Sequence, residues 1–142
     1  MSGRPTNAHR GFELLEHRAD VGIRGSGATL AEAFEQVALG LIEILGFHRA
    51  GPARRRPIHL TGPDHGALLV DLVNELVLLH ETEGVALVEP RVSELTPTSL
   101  EGSIGVAPLA EEPDGIVKAA TYHRLLVDEG DGSATVEVYL DV

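Results

Sequence analysis

The stretch 29–46 constrains the fold most, because it announces both ends of a helix. Thr29-Leu30-Ala31-Glu32 has the form of a capping box. The threonine oxygen can accept the backbone N–H three residues on, and the glutamate can reach back to an N–H at the helix start. Leu30, Ala33, Phe34, Val37, Ala38, Leu41, Ile42 and Leu45 then recur at helical spacing, and Gly46 supplies the stop. A helix with so continuous an apolar stripe has to be covered by other elements.

A second helix is predicted from Asp64 or a few residues later to about Glu81, ended by Glu83-Gly84. Leu69, Leu72, Val73, Leu76, Val77 and His80 form its stripe, while Asp71, Asn74 and Glu75 fall off it. The remaining segments read as strands: 12–16, then 20–24 broken by Gly25-Ser26-Gly27, 58–60, 85–88, 91–95, 99–106, 116–127 and 135–141. Gly130-Asp131-Gly132 is a turn between the last two. The economical architecture is α+β, with two helices packed on a largely antiparallel or mixed sheet. Residues 1–11, polar and containing Gly and Pro, read as a flexible N-terminal tail, and 12–142 as one domain.

Composition narrows the function. The formal charge is −11, and the only aromatics are Phe12, Phe34, Phe47, Tyr122 and Tyr139. That argues against phosphate neutralisation and against base-stacking platforms, so no direct nucleic-acid binding is expected. Arg54-Arg55-Arg56 is the one basic run, read as a solvated loop ahead of the strand at Ile58. Without cysteine there is neither a disulfide nor thiolate chemistry. No apolar run approaches the roughly 18 residues of a membrane span, and no signal peptide opens the chain, so a cytoplasmic protein is expected.

One residue stands out against this background. Ten of the eleven basic side chains are arginines, and the single lysine is Lys118, in Val117-Lys118-Ala119-Ala120-Thr121-Tyr122-His123. A compact, flexible ammonium at one position, where arginine is otherwise used throughout, points to a task that a planar guanidinium does not serve.

Carboxylates gather at the two ends of the patterned chain. Glu16-His17-Arg18-Ala19-Asp20 follows a strand and could give oxygen ligands to a hard cation, although a polar turn would look the same. At the other end Asp141 precedes Val142, whose carboxylate would lie beside it. Adjacent carboxylates repel unless a cation or ammonium offsets them. Asp20, Asp141 and Val142 form a plausible oxygen cage, with Lys118 on the neighbouring strand as the nearby positive partner. His17 and His123 are weaker candidates. The odd spacing of Lys118 and His123 puts them on opposite faces of a strand unless a bulge intervenes. No serine-nucleophile, phosphate-loop or zinc-ligand motif is present.

Taken in order, several of these segments resemble the archease family. They are 17–23, Thr29-Leu30-Ala31-Glu32-Ala33-Phe34-Glu35, Asp71-Leu72-Val73-Asn74-Glu75-Leu76, Val117 to His123, and Asp141-Val142. The resemblance implies a small α+β protein that is not an enzyme. It implies an activator of an RtcB-type RNA ligase, promoting that partner's guanylylation and multiple turnover in tRNA splicing and RNA repair. The family's metal-binding carboxylates map onto Asp20, Asp141 and the terminal carboxylate of Val142, and its lysine onto Lys118. The implied cation is divalent: calcium, with magnesium or manganese as alternatives. The chain departs from the family's usual Asp-His-Thr-Ala-Asp at Glu16 and Arg18, and carries Leu72 where tryptophan is common. Two other readings stand beside this one: a small metal-dependent hydrolase using Asp20, His17 and Asp141, and a chaperone-like binding module. A homo-oligomer is compatible with each.

Overall fold

The computed structural model describes residues 10–17, 20–113 and 115–142. In chain order they form β1 (Gly11–His17), β2 (Asp20–Gly27), α1 (Leu30–Leu45), β3 (Arg54–Thr61), α2 (His65–Glu83), β4 (Val85–Thr96), β5 (Ser99–Pro108), β6 (Ala119–Gly130) and β7 (Ser133–Asp141). The class is α+β, as expected. The strands divide between two sheets, of order β1-β2-β7-β6 and β3-β5-β4, and every pairing is antiparallel rather than mixed. Strand patterning reports which face is buried, not which sheet a strand joins, so this partition was not legible in the sequence.

α1 starts and stops where its capping residues predict, and α2 ends at Gly84 as expected. The Thr29 hydroxyl accepts from the Glu32 N–H at 3.1 Å, and the Glu32 carboxylate accepts from the Ala28 N–H at 3.0 Å. Asp64 caps α2 by accepting from the Ala67 N–H at 2.8 Å. Gly46 and Gly84 close the two helices in the left-handed conformation that glycine adopts without strain.

The helices join the sheets. α1 packs on β1, β2 and β7 of the larger sheet and on β4 of the smaller; α2 packs on β6 of the larger and on β3 and β4 of the smaller. One continuous core results, built around Ile23, Phe34, Leu41, Leu68, Leu69, Leu76, Leu87, Leu100, Ile104 and Leu140. This explains why Leu68, Val70 and Leu79, outside the predicted stripe of α2, are also buried.

Several expectations need correction. Gly25-Ser26-Gly27 does not break β2 but extends it, because α1 lies almost on its backbone. A Cβ at Gly25 would run into the carbonyl oxygen of Ala33, and one at Gly27 would sit 2.5 Å from the Glu32 Cβ. Arg54-Arg55-Arg56 is not a loop but the start of β3, an edge strand, where arginines and Pro57 discourage pairing with another chain. Arg56 bonds Glu83 at 2.5 and 2.9 Å, tying that edge to the end of α2. The segments 85–88 and 91–95 are one strand, β4, with register shifts after Val88 and Val92 and a positive φ of 49° at Glu89. Residues 116–118 precede β6 instead of opening it. Residues 1–9 of the expected tail lie outside the described residues; Arg10 already pairs with Glu32 at 2.8 Å, and Gly11 belongs to β1.

A free strand edge is sealed by a helix side chain in each sheet. The Glu35 carboxylate of α1 accepts from the Val92 N–H of β4 at 2.7 Å. The Asn74 carboxamide of α2 accepts from the Ala120 N–H of β6 at 2.7 Å. Each satisfies a backbone donor that no neighbouring strand can reach.

Two predictions follow from this packing. Gly25→Ala should lower stability by roughly 1–3 kcal/mol, the usual cost of overpacking, read as a drop in the urea midpoint at unchanged slope. The hydrogen bond from Arg56 holds the Glu83 carboxyl below the ordinary glutamate pKa. Its contribution is present above that ordinary value and fades as pH falls through the lowered one. Thermal melts of Glu83→Gln and the parent chain should therefore converge in acid and separate near neutrality.

Candidate functional site

The register of the larger sheet brings two acidic residues far apart in sequence together. Asp20 in β2 lies directly opposite Asp141 in β7. On its other side Asp20 pairs with His17 of β1, and Asp141 pairs with Ala119 of β6. Directly opposed residues point to the same face of an antiparallel sheet, with Cβ atoms about 4.5–5.5 Å apart. That face is the outer one: alternate residues Ile23, Val138 and Leu140 are buried in the core, whereas Asp141 is exposed and Asp20 half-buried.

The next rows of the same face show how this sheet handles carboxylates elsewhere. Gly22 opposes Tyr139, and the ring lies over the glycine, a Cβ at which would be 2.7 Å from the ring. One row further, Arg24 stands between Glu137 at 2.8 Å and Glu13 at 3.2 Å, a cation placed between two acids. The Glu137 hydrogen bond raises the Arg24 pKa against the cost of partial burial, with Glu13 adding to the rise. In the row of Asp20 and Asp141 no such guanidinium intervenes among the described residues, and no ion pair joins either carboxylate to Lys118.

Lys118 is nonetheless held at this place. Its backbone N–H donates to the Asp141 carbonyl at 2.8 Å. Upstream, the Gly115 N–H donates to the Leu45 carbonyl at 3.0 Å, and Val117 is 3% exposed. Downstream, Ala120 is bonded to Asn74. An exposed lysine therefore sits on a backbone fastened on both sides. Lys118 is thus placed beside Asp141 by a backbone link.

A bulge does intervene between Lys118 and His123. Thr121 pairs with Tyr139 and Leu126 with Glu137, so 122–125 span a gap that β7 crosses with Val138 alone. Arg124 takes a positive φ of 60°, and its guanidinium lies 6.0 Å from the Tyr139 ring centroid. The His123 N–H donates to the Thr121 hydroxyl at 2.8 Å. His123 and Tyr122 are both exposed, Tyr122 at 60%. Simple strand parity therefore says nothing about whether His123 and Lys118 share a face.

Asp20, Asp141, Val142 and Lys118 are thus at one end of the sheet. The side chains of Glu16 and His17, and residues Arg18 and Ala19, lie outside the described residues. Among those described, no three His, Cys, Asp or Glu side chains gather as a metal cluster. The donors on hand are two carboxylates in register, an all-oxygen pair that fits a hard cation better than a soft one. Sequence reasoning missed Asn74 as part of this assembly. Its signal was a polar residue beside the apolar stripe of α2, but its partner is 46 residues away.

Comparison with known proteins identifies the family and the fold. The model of the Archease protein family (MTH1598/TM1083) matches residues 12–142. The chain belongs to the archease family. It is 36% identical to Protein archease of Thermococcus kodakarensis over 128 residues, covering 84% of this chain and 89% of that one. It is 33% identical to Protein archease of Pyrococcus furiosus over 141 residues, covering 94% and 99%. Among solved structures, the solution structure of Methanobacterium thermoautotrophicum protein 1598 matches with a TM-score of 0.67 at 28% identity, covering 93% of this archease and 99% of that chain. A Thermotoga maritima crystal structure, described as an archease and possible chaperone, shares the fold at a TM-score of 0.58 and 19% identity. No helix of the described residues is long and apolar enough to cross a membrane.

Opposed like charges destabilise an antiparallel pair by roughly 0.2–1 kcal/mol. Asp141→Asn should therefore raise the unfolding midpoint in a chelating buffer. A lowered midpoint there would show that the carboxylate already has a favourable partner within the chain.

Proposed function

We propose that this archease is an accessory protein that activates an RtcB-type RNA ligase, promoting its guanylylation and multiple turnover in tRNA splicing and RNA repair. The observation that carries the reading is the in-register opposition of Asp20 and Asp141 beside the fastened backbone of Lys118. The fold makes this charge concentration at one end of the sheet, with no cation between the two acids among the described residues. Family membership supports an accessory role over catalysis, and the name given to the Thermotoga protein favours a protein as the partner.

In this reading Asp20, Asp141 and the terminal carboxylate of Val142 hold a divalent cation, calcium first, with magnesium or manganese as alternatives. Such a cation would supply charge neutralisation at the contact and polarise phosphoryl oxygen in the partner's nucleotide pocket. Asp20 and Asp141 fix the site through their strands, and Lys118 offers a mobile ammonium to an anionic group of the ligase. Ile116, 74% exposed, and the exposed Tyr122 flank Lys118 in the chain and offer the contact apolar area. A net charge of −11 favours encounter with a basic, RNA-binding surface.

The decisive experiment measures guanylylation of the cognate ligase with excess GTP and catalytic amounts of this protein in defined divalent metal. Stimulation should disappear on chelation. It should fall at least about tenfold, ~1.4 kcal/mol, in each of Asp20→Ala, Asp141→Ala and Lys118→Ala, with circular dichroism unchanged. Full stimulation by all three variants would sink the proposal. Phosphoester turnover by the protein alone, lost in Asp20→Ala, would replace it with the hydrolase reading.

A further inference from the structure

The helix α2 does more at this site than fill the core. It runs antiparallel to β6 and fastens it at two places: Gly66, where an added Cβ would be 2.7 Å from Leu125 Cδ2, and Asn74, whose carboxamide accepts from the Ala120 N–H at 2.7 Å. The Gly66 contact falls on the bulge at 122–125, and the Asn74 bond lies just ahead of it. A strand whose pairing with β7 is interrupted there has little of its own to hold its first residues in place.

Those first residues carry the site. Ala119 pairs with Asp141, and the Lys118 N–H bonds the Asp141 carbonyl. The ladder between β6 and β7 ahead of the bulge consists of the three pairs at Ala119, Ala120 and Thr121. Asn74 acts on the middle one from the opposite edge. It takes the outward N–H of Ala120, so that the short ladder is held between β7 on one side and α2 on the other.

We propose that Asn74 is a positioning residue for the partner contact: by bonding the Ala120 N–H it holds the backbone that carries Lys118 against Asp141. This inference rests on the activator reading above for its functional consequence, and on the hydrogen bond alone for its structural one. The requirement is for an acceptor of short reach at position 74. Asn74→Asp keeps such an acceptor; Asn74→Leu keeps the volume and removes it.

The test combines backbone hydrogen exchange with ligase guanylylation on the full chain. In Asn74→Leu the amides of Ala120 and Lys118 should exchange at least roughly tenfold faster, with the core amides of α1 unchanged, as expected for local opening. Stimulation of guanylylation should drop by a similar factor, and Asn74→Asp should restore both. If Asn74→Leu does not fold, Asn74→Ser, whose hydroxyl is too short to reach Ala120, replaces it. Unchanged exchange at Lys118, or full stimulation by the leucine or serine variant while Asp141→Ala is inactive, would overturn the role of Asn74 alone. Full stimulation by Asp141→Ala as well would overturn the activator reading, and the positioning role with it.

Discussion

The close approach of α1 to β2 is the constraint on which the rest depends. With Gly25 and Gly27 on the strand and Gly40 on the helix, the two backbones come nearer than any pair of side chains would allow; a Cβ at Gly40 would sit 2.6 Å from Ile23 Cγ2. A helix seated so deeply brings Glu35 within reach of the far sheet, where it seals Val92. Because α1 touches both sheets, its depth sets the distance between them, and so where α2 can lie against β6. The site at the end of the larger sheet inherits its geometry from that stack.

Much of the fold was legible in local chemistry. Thr29, Gly46 and Gly84 mark helix ends by hydrogen-bonding logic that needs only a few neighbouring residues, and all three act as caps, with Asp64 capping α2 as well. The alternation of Val136, Val138 and Leu140 along 135–141 matches the side of β7 that packs into the core. What failed were inferences from residue type where a distant element decides. Gly25-Ser26-Gly27 carries a turn-like composition, yet the pressure of α1 makes those glycines a strand. Arg54 to Arg56 looks like a loop because an edge strand, solvated on one side, tolerates what a central strand does not.

The candidate site divides along the same line. Asp20, Lys118 and Asp141 could be singled out by charge pattern and lysine rarity, and the register between β2 and β7 brings the two acids together. That Lys118 joins Asp141 through its backbone was not legible, since sequence locates a residue but not which of its atoms makes the contact. Asn74 could not be found this way, because its importance lies in a hydrogen bond spanning 46 positions and in a bulge that propensity does not reveal.

Departures from local rules concentrate near this end of the larger sheet. Like charges oppose each other at Asp20 and Asp141; Arg124 has a positive φ; β6 loses its register; and Ile116 and Tyr122 expose large apolar surface. Glu89, beside Pro90 in edge strand β4, is the other non-glycine positive φ among the described residues. A sequence that folds by agreement between its local and global preferences tends to break them where function requires it. The row of Arg24 makes the contrast physical. There, one guanidinium between Glu13 and Glu137 settles the charge within the protein. Two rows away, the same sheet leaves two carboxylates facing each other with no guanidinium between them among the described residues, so the repulsion that Arg24 relieves in its own row is left standing in theirs.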